Sequence, residues 1–254
     1  VWTSSFIYNY NTSKTTAYYT ATSKGIFDIN SGTNISPIVG QPLYAITAYK
    51  WGGLDSKGDP QGFLNGEPTT DYVAIRQKVR NDGLSAGALT MIGSSAPVHF
   101  GSLINRIEWK GLSFSANLMY KAGYYFFKNS FSSVELISNS RGHADYYNRW
   151  QQPGDELHTD IPAFVYSDYT QYRERDNFYR YSTVNVIKGD HIRLHYINLG
   201  YLLPLNKGKI VCSVYGNMSN IGILWRANKE GIDPDAPTGS PAPRQYTIGL
   251  KADF

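Results

Sequence analysis

Cysteine is almost absent from this 254-residue chain, in which Cys212 is the only one. A disulfide bond within the chain and a thiolate zinc cluster are therefore both excluded. Cys212 stands in the run KIVCSVYG, whose pattern is typical of a strand, and we expect it to act there as a small apolar residue.

Charged residues are also scarce, because Asp, Glu, Lys and Arg together make up only 17% of the chain. An average soluble domain has roughly 25%. The formal net charge of +4 is small, and the basic residues are scattered rather than grouped, so nucleic-acid binding is not expected. No stretch of about 18 apolar residues exists, which excludes a transmembrane helix but not a membrane β-barrel, whose strands only alternate.

The motifs of several enzyme classes are missing, among them His-Glu-x-x-His, the nucleophile elbow and the phosphate-binding loop. The 20 acidic residues allow many carboxylate pairs of the kind that glycoside hydrolases use, but no motif selects one. His191 and His195, four residues apart on an expected strand, would lie about 13 Å from each other, too far to share one metal ion. We therefore expect no enzyme activity.

Alternation of apolar and polar residues is the main positive signal in the sequence, alongside an aromatic content of 15% that includes 21 tyrosines. The last stretch, RQYTIGLKADF (244–254), alternates throughout, which is typical of a strand with one apolar and one polar face. Its apolar positions are Tyr246, Ile248, Leu250, Ala252 and Phe254. The chain also opens inside such a pattern, without the basic and apolar regions of a signal peptide, so we expect a processed or truncated chain.

The same pattern predicts about eight strands and only one short helix, over residues 70–81. The predicted strands cover residues 1–11, 15–23, 41–51, 184–203, 209–221 and 244–254, together with two strands that meet at Lys110-Gly111 within 99–127. The first two of these, 1–11 and 15–23, are expected to pair with each other around the short turn NTSK. Short turns are expected at 110–111 and 204–208, and long loops at 52–97, 128–182 and 226–243. If the strands run up and down, all short turns lie on one side, as in outer-membrane barrels. Alternation by itself also fits a soluble β-sandwich.

Five segments, in order along the chain, resemble SusC/RagA-type TonB-dependent transporters of Bacteroidetes outer membranes. The first is VGQPLYAITAYKWGGLDSKGDPQGFLNGE (39–67), and the second is the loop RWQQPGDE…DIP (149–162). Further along come VIKGDHIRLHYINLGYLLP (186–204) and VYGNMSNIGILWR (214–226). The last is the ending GIDPDAP…PAPRQYTIGLKADF (231–254), with its terminal phenylalanine.

The resemblance implies an all-β fold, namely the C-terminal part of an antiparallel transmembrane β-barrel, with about eight strands of a larger plugged barrel and long extracellular loops. Residues 1–254 would then form one part of that barrel, without the plug domain or the TonB box. The implied function is TonB-dependent import of a bulky nutrient, an oligosaccharide or a peptide, across the outer membrane of a Gram-negative bacterium. The implied partners are a SusD-like surface lipoprotein that acts as a lid, outer-membrane lipid, and the TonB complex through the missing N-terminal part.

Three groups of residues are candidates for function. Tyr246, Ile248, Leu250 and Phe254 resemble the C-terminal signal read by the barrel assembly machinery. Aromatic residues of the long loop are candidates for contact with the lid or the ligand: Tyr146, Tyr147, Trp150, Tyr166, Tyr169 and Tyr172. Asp55 and Asp59 suit either a series of tight turns or a calcium-binding loop; no other metal site and no other cofactor is expected.

Three alternative functions are weighed against transport with a lid. A surface glycan-binding β-sandwich would use the loop aromatics as a platform and would dissolve without detergent. A glycoside hydrolase would depend on a pair of carboxylates. A passive porin would need neither an energy source nor a lid.

Overall fold

The computed structural model describes residues 1–19, 37–205 and 210–253. The β-strands in these residues are β1 (Trp2–Tyr10), β2 (Ala45–Tyr49), β3 (Gly62–Leu64), β4 (Glu67–Thr69), β5 (Leu89–Ser94), β6 (His99–Trp109), β7 (Leu112–Ala122), β8 (Tyr125–Phe127), β9 (Val186–Lys188), β10 (His191–Leu205), β11 (Ile210–Arg226) and β12 (Gln245–Asp253). The α-helices are α1 (Tyr72–Asp82), α2 (Ser133–Asn139) and α3 (Tyr172–Arg180). None of the helices described is long and apolar enough to cross a membrane.

The chain divides into two compact units. Unit 1 comprises the described residues of 1–11, 97–124 and 188–254. Its six long strands form one sheet in the order β1-β6-β7-β10-β11-β12, in which every neighbouring pair is antiparallel. Strands that are neighbours in unit 1 are also consecutive within it, so the sheet is a simple up-and-down meander.

The connections of unit 1 are sorted by length. Only Lys110 and Gly111 join β6 to β7. At the other end of the strands, the chain leaves the sheet through the long segments 11–98, 123–190 and 227–244. Both positions of the short turn have positive φ, 46° at Lys110 and 83° at Gly111, which is the backbone of a type I′ hairpin turn. The predicted sorting of short turns and long loops is therefore present in this sheet; most of the predicted turn at 204–208 lies outside the described residues.

Each face of the sheet has a distinct composition, because residues directly opposite one another on paired strands share a face. The apolar face is formed by Trp2, Phe6, Tyr8 and Tyr10 of β1, Leu103, Ile107 and Trp109 of β6, Leu112, Phe114, Leu118 and Tyr120 of β7, Ile192, Leu194, Ile197, Leu199, Tyr201 and Leu203 of β10, Cys212, Val214, Met218 and Trp225 of β11, and Tyr246, Ile248 and Leu250 of β12. The polar face includes Ser113, Ser115, Asn117 and Lys121 of β7, His191, Arg193 and Asn198 of β10, Ser213, Asn217 and Ser219 of β11, and Gln245, Thr247 and Lys251 of β12. Cys212 lies on the apolar face opposite Ala252, partly buried, as its strand pattern predicts.

Unit 2 comprises the described residues of 12–96 and 125–187 and is built around an aromatic core. The core contains Tyr49, Tyr72, Ile75, Val79, Ala86, Ala88, Leu89, Phe178 and Tyr181. Helices α1 and α3 each contribute one face to it: Tyr72, Ile75 and Val79 from α1 and Phe178 from α3. The unit also contains α2 and the short strand pairs β2 with β5 and β3 with β4, and a third pair joins β8 to β9.

The strand prediction needs two corrections. The main sheet has six strands rather than eight, because residues 15–19 form no strand and β2, within the predicted strand 41–51, pairs with β5 in a separate sheet. Residues 20–23 lie outside the described part. The predicted partner of β1 was the next segment, but β1 pairs with β6 instead, since the chain between them forms part of unit 2.

The helix prediction was right for α1 and incomplete elsewhere. The helix predicted at 70–81 is α1, which is capped by the Asp71 side chain accepting from the Ala74 amide at 3.0 Å. Segment 128–182, predicted as a loop, contains α2 and α3. The start of α2 carries a capping signature, Ser132 followed three residues later by Glu135, and the Ser132 hydroxyl accepts from the Glu135 amide at 3.0 Å.

Candidate functional site

The apolar face of the unit 1 sheet is unusually exposed for a folded protein. On the edge strand β12, Tyr246, Ile248 and Leu250 are 68%, 86% and 71% exposed. Trp2 and Trp109, at the short-turn end of the sheet, are 73% and 64% exposed. An exposed apolar surface of this extent is the mark of an interaction surface for lipid or protein.

Large aromatic side chains lie at both ends of the apolar face, and the side chains between them are mostly aliphatic, with Phe6 and Phe114 as exceptions. Trp2, Trp109 and Tyr201 lie at the short-turn end, whereas Tyr8, Tyr10, Tyr120, Trp225 and Tyr246 lie towards the long loops. The distance between the two zones can be measured along β6, where Trp109 lies in one zone and Gly101 lies opposite Tyr120 of the other. These two residues are eight positions apart, or about 26 Å along the strand. Two aromatic zones that flank an aliphatic band are typical of a surface lying at membrane interfaces.

Three of the four residues predicted as an assembly signal lie together on this face. Tyr246, Ile248 and Leu250 stand opposite Met218, Gly216 and Val214 of β11. Phe254 lies outside the described residues. The assembly role of these residues remains a prediction.

A set of charged side chains, which we call the loop latch, fastens the β11–β12 loop to the polar face. The loop supplies Asp233 and Asp235, and the sheet supplies Lys121, His191 and Arg193. Lys121 Nζ donates to Asp235 Oδ1 at 2.6 Å, and Arg193 Nη2 donates to Asp233 Oδ1 at 2.5 Å. The second Asp235 oxygen lies 3.3 Å from His191 Nε2 and 3.2 Å from Arg193 Nε.

Contacts within unit 1 orient the charged groups of the loop latch. His191 is only 2% exposed, and its Nδ1 lies 2.8 Å from the Gly189 carbonyl oxygen and 3.2 Å from the Tyr124 hydroxyl. These contacts hold the ring so that Nε2 points at Asp235. Asp233 in turn accepts from the Asp235 amide at 2.9 Å, which fixes the turn that presents both carboxylates.

Acid is expected to release the loop latch. Contacts with His191 and then Lys121 hold the pKa of Asp235 well below its usual range, although burial opposes them. A carboxyl group with a lowered pKa in the folded state stabilises the fold above its ordinary pKa of about 4 and loses that contribution as the pH falls further. Hydrogen exchange of residues 227–244 should therefore be slow at pH 5, after correction for intrinsic rates, and should accelerate below about pH 4.

At neutral pH, the substitution Asp235→Asn should weaken the loop latch as acid does, because it removes the same negative charge. It should increase local opening of the loop about fivefold, which corresponds to about 1 kcal/mol for a partly exposed network. Glu108→Gln is the control, because Glu108 forms an exposed ion pair with Arg106 at 2.6 Å near the other end of the sheet. Equal exchange in both variants would show that Asp235 does not hold the loop.

The loop aromatics of unit 2 form a cluster with an exposed side. Tyr146 packs against Phe131 and Phe164, with ring centroids 5.3 and 6.3 Å apart. Phe164 contacts Tyr166 at 4.9 Å, and Tyr147 adjoins Tyr146 at 6.0 Å. Tyr147 and Tyr166 are 81% and 70% exposed. Of the predicted contact residues, these two are best placed to reach a partner.

The other predicted loop aromatics have structural partners within unit 2. The Trp150 ring lies so close to Gly58 that an added Cβ would stand 2.5 Å from it. Its indole N–H donates to Glu156 Oε2 at 2.9 Å and holds the pKa of that carboxyl below its usual range. Tyr172 is buried, and its hydroxyl donates to the Ser133 carbonyl oxygen at 2.9 Å.

Asp59 belongs to a buried ion pair that the sequence did not reveal. Arg175 Nε donates to Asp59 Oδ1 at 2.6 Å, and the two side chains are only 2% and 8% exposed. The Arg175 Nη2 donates to the Gly58 and Ala163 carbonyl oxygens at 3.0 and 3.1 Å. The Tyr169 hydroxyl donates to the other Asp59 oxygen. Burial, followed by this hydrogen bond, raises the pKa of Tyr169 to about 12, so the hydroxyl keeps its proton at neutral pH.

The candidate calcium residues are both used in local structure. Asp55 Oδ1 accepts from the backbone amides of Lys57 and Asp59 at 2.9 and 2.8 Å, which is the hydrogen bonding of an Asx turn. Asp59 has Arg175 and Tyr169 as partners. Within the described ranges, no group of three or more His, Cys, Asp or Glu side chains is placed to hold a metal ion. The arrangement supports the turn interpretation, and calcium binding remains an untested prediction.

Comparison with known proteins finds a likeness of fold to solved structures. No family model and no curated protein matches the chain. The structure of the RagAB peptide transporter has 20% identity and a TM-score of 0.61, covering 98% of this chain and 26% of that chain. The RagAB peptide importer in the open-open state has 20% identity and a TM-score of 0.65, covering 100% of this chain and 27% of that chain. The same importer in the closed-closed state has 21% identity and a TM-score of 0.65, covering 98% of this chain and 27% of that chain.

The chain thus spans about a quarter of the length of these solved chains. A likeness at this level of identity shows the fold alone: this chain has a fold similar to that of part of these solved chains.

Proposed function

We propose that this chain forms part of the wall of a SusC/RagA-type TonB-dependent transporter in the outer membrane of a Gram-negative bacterium. The transporter would import a bulky nutrient, an oligosaccharide or a peptide, with a SusD-like surface lipoprotein as its lid. The TonB complex would act through parts of the protein other than residues 1–254. In this proposal, unit 1 is membrane wall and unit 2 is formed by extracellular loops.

The observation that carries the proposal is the difference between the two faces of the unit 1 sheet. In outer-membrane barrels, lipid-facing apolar residues alternate with polar residues that face the lumen. The sheet has this alternation along its strands, and its apolar face carries the two aromatic zones. A tilt of about 40° shortens the 26 Å of strand between those zones to about 20 Å, near the band of about 25 Å that such barrels present to lipid.

Two further observations support the proposal. The short turn Lys110-Gly111 and the long segments lie at opposite ends of the strands, as short periplasmic turns and long outer loops do in outer-membrane barrels. The fold likeness to RagAB peptide transporter chains extends over 98% or more of this chain. The names of those proteins favour a peptide among the two nutrient classes considered.

The assignments of single residues follow from the same proposal. Tyr246, Ile248 and Leu250, with Phe254, would present the assembly signal to lipid and to the assembly machinery. Tyr147 and Tyr166 would contact the lid or the nutrient. A surface glycan-binding β-sandwich explains the aromatic loop residues, but a sandwich would cover an apolar face such as that of β12, where Ile248 is 86% exposed.

The intact mass of the native outer-membrane species that carries this sequence tests the proposal. The species should be extracted by detergent, should weigh several times the 28.5 kDa of this chain, and should include a plug domain and a co-purifying lipoprotein. A folded, partnerless species of 28.5 kDa would contradict a transporter of this type.

A further inference from the structure

The strands of unit 1 place no charged side chain on the apolar face. Among the paired strand residues that the structure describes, the positions on this face hold no Asp, Glu, Lys or Arg. A charge on the lipid-facing side of a barrel is costly at mid-membrane depth and much less so near the membrane interfaces. A charged group that reaches this face from a loop therefore calls for an explanation.

Arg244 is such a group. It directly precedes β12, two positions before Tyr246 and four before Ile248, so the alternation of the strand places it on their side of the sheet. Its guanidinium extends to β11, because a Cβ added at Gly222 would stand 4.0 Å from Arg244 Nη2. Gly222 lies opposite Leu194, which is also on the apolar face. The positive charge of Arg244 is therefore held against the long-loop end of the apolar face.

The backbone on both sides of Arg244 is attached to β11. Asn220 Nδ2 donates to the Pro243 carbonyl oxygen at 3.1 Å, and Gln245 pairs with Ser219 in the ladder. Asn220 belongs to an irregular stretch, where the ladder with β10 passes from Ser219 to Gly222, and its φ is 53°. Bulges re-aim side chains in this way. The irregularity lets Asn220 reach the loop and gives Arg244 a defined position.

Arg244 has no acidic partner among the described residues. Its guanidinium takes part in none of the ion pairs formed there. The two aspartates of the same loop, Asp233 and Asp235, are held by the loop latch on the polar face. Next to Gly222 and Arg244 on the apolar face come Trp225 and Tyr246, which are 52% and 68% exposed. An unpaired cation thus adjoins two exposed aromatic rings.

The phosphate group of a lipid fits this arrangement. A guanidinium can donate two parallel N–H bonds to the oxygens of one phosphate. Trp and Tyr side chains favour the headgroup level of a membrane, so the two rings mark the depth at which lipid phosphates lie. A lipid also offers acyl chains to the aliphatic band below the rings, which a phosphate ion in water does not. The surface therefore matches a phosphate that is attached to a lipid.

We propose that Arg244, together with Trp225 and Tyr246, binds the phosphate of a lipid in the outer leaflet of the membrane. The guanidinium donates to the phosphate oxygens, and the two rings contact the headgroup. The inference rests on the proposed function, from which it takes the lipid-facing assignment of the apolar face and the extracellular assignment of the long loops. It adds which lipid chemistry is recognised and which residues recognise it.

Native mass spectrometry of the detergent-purified protein with all its chains tests the inference. The probes are monophosphoryl lipid A and the same lipid after enzymatic removal of its phosphate. Arg244→Gln should weaken retention of the phosphorylated lipid about fivefold, and Arg244→Lys, which keeps the charge, should weaken it less. Arg226→Gln is the matched control and should leave retention unchanged, because Arg226 lies at the same end of the sheet but on the polar face, opposite His191.

The inference is overturned if Arg244→Gln retains the lipid as the native protein does, or if Arg226→Gln loses it equally. Equal retention of the two forms of the lipid, or displacement of the lipid by millimolar inorganic phosphate, would also overturn it. If Arg244→Gln does not assemble, Arg244→Lys and the comparison of the two lipids decide. The same spectra give the protein mass: a plug-bearing complex without phosphate-dependent lipid refutes only the lipid site, whereas a partnerless 28.5 kDa species refutes the transporter.

Discussion

Replacing Asp59 by asparagine is expected to destabilise unit 2 by about 3–5 kcal/mol, the usual consequence of removing one member of a buried ion pair. Arg175 would keep its charge in a site where it is 2% exposed, and all its hydrogen-bond acceptors, including the Gly58 and Ala163 carbonyl oxygens, would then be neutral. The Tyr169 hydroxyl would also lose its charged acceptor. Because the pair joins α3 to the turn at residues 55–59, both segments should open together.

Hydrogen exchange on the intact protein measures this opening. Amides of α3 and of residues 52–61 should lose protection in Asp59→Asn. Asp82→Asn is the control, because Asp82 forms a partly exposed ion pair with Lys78 at 2.7 Å, worth about 0.5 kcal/mol or less. Asp59→Asn combined with Arg175→Met should cost less than Asp59→Asn alone. Equal protection in Asp59→Asn and Asp82→Asn would show that the buried pair does not organise the unit.

The second substitution with a large expected effect is Ile248→Arg, which should impair assembly of the protein in the membrane. An arginine on the lipid-facing side of a barrel strand costs about 2–4 kcal/mol at mid-membrane depth. Ile248 is 86% exposed and lies between Tyr246 and Leu250 on the apolar face. Ile248→Arg should therefore sharply reduce the amount of protein assembled in the outer membrane, and the assembled fraction can be measured by heat-modifiable electrophoretic mobility.

Thr247→Arg is the matched control for that substitution. Thr247 adjoins Ile248 on the same edge strand but lies on the polar face, opposite Asn217. The same charge there should leave assembly nearly unchanged, since lumen-facing positions tolerate polar residues. Comparable losses from both substitutions would mean that the two faces do not meet different environments.

Much of the unit 1 sheet could be predicted from the sequence, because its faces contact different surroundings along every strand. Alternation of period two follows directly from that difference, and it located β1, β6, β7 and β12 to within a few residues. The strand predicted at 184–203 was less accurate, because it began seven residues before β10 and included β9. The pairing of β1 was not predictable in this way. Alternation identifies a strand but not its neighbour, and β1 and β6 are separated by a long segment of unit 2.

The helices of unit 2 were harder to predict, because their buried faces are not purely apolar. In α3 the buried residues are Tyr172, Arg175, Phe178 and Tyr179. Their spacing is helical, but an arginine and two tyrosines read as polar in a hydrophobicity pattern. The arginine is buried only because Asp59, 116 residues away in sequence, neutralises it.

The loop latch also depends on contacts between distant residues. Lys121 and Asp235 are 114 residues apart. The sequence did single out the two segments that supply most of the latch, since both GDHIRL and GIDPDAP lie in segments that carry the family resemblance. The pairing of His191 and Arg193 with the two aspartates became visible only when the antiparallel ladder placed the start of β10 beside the end of β11.

Accessibility of spin labels at positions 247 and 248 tests the central claim, that the apolar face of unit 1 meets lipid, most directly. Cysteines would be introduced one at a time in the native protein, with Cys212 replaced by serine so that each variant carries a single label from this chain. A label at 248 should collide readily with dissolved oxygen and rarely with a water-soluble nickel chelate, and a label at 247 should show the reverse. Equal access of the nickel chelate to both positions would contradict a membrane-facing sheet.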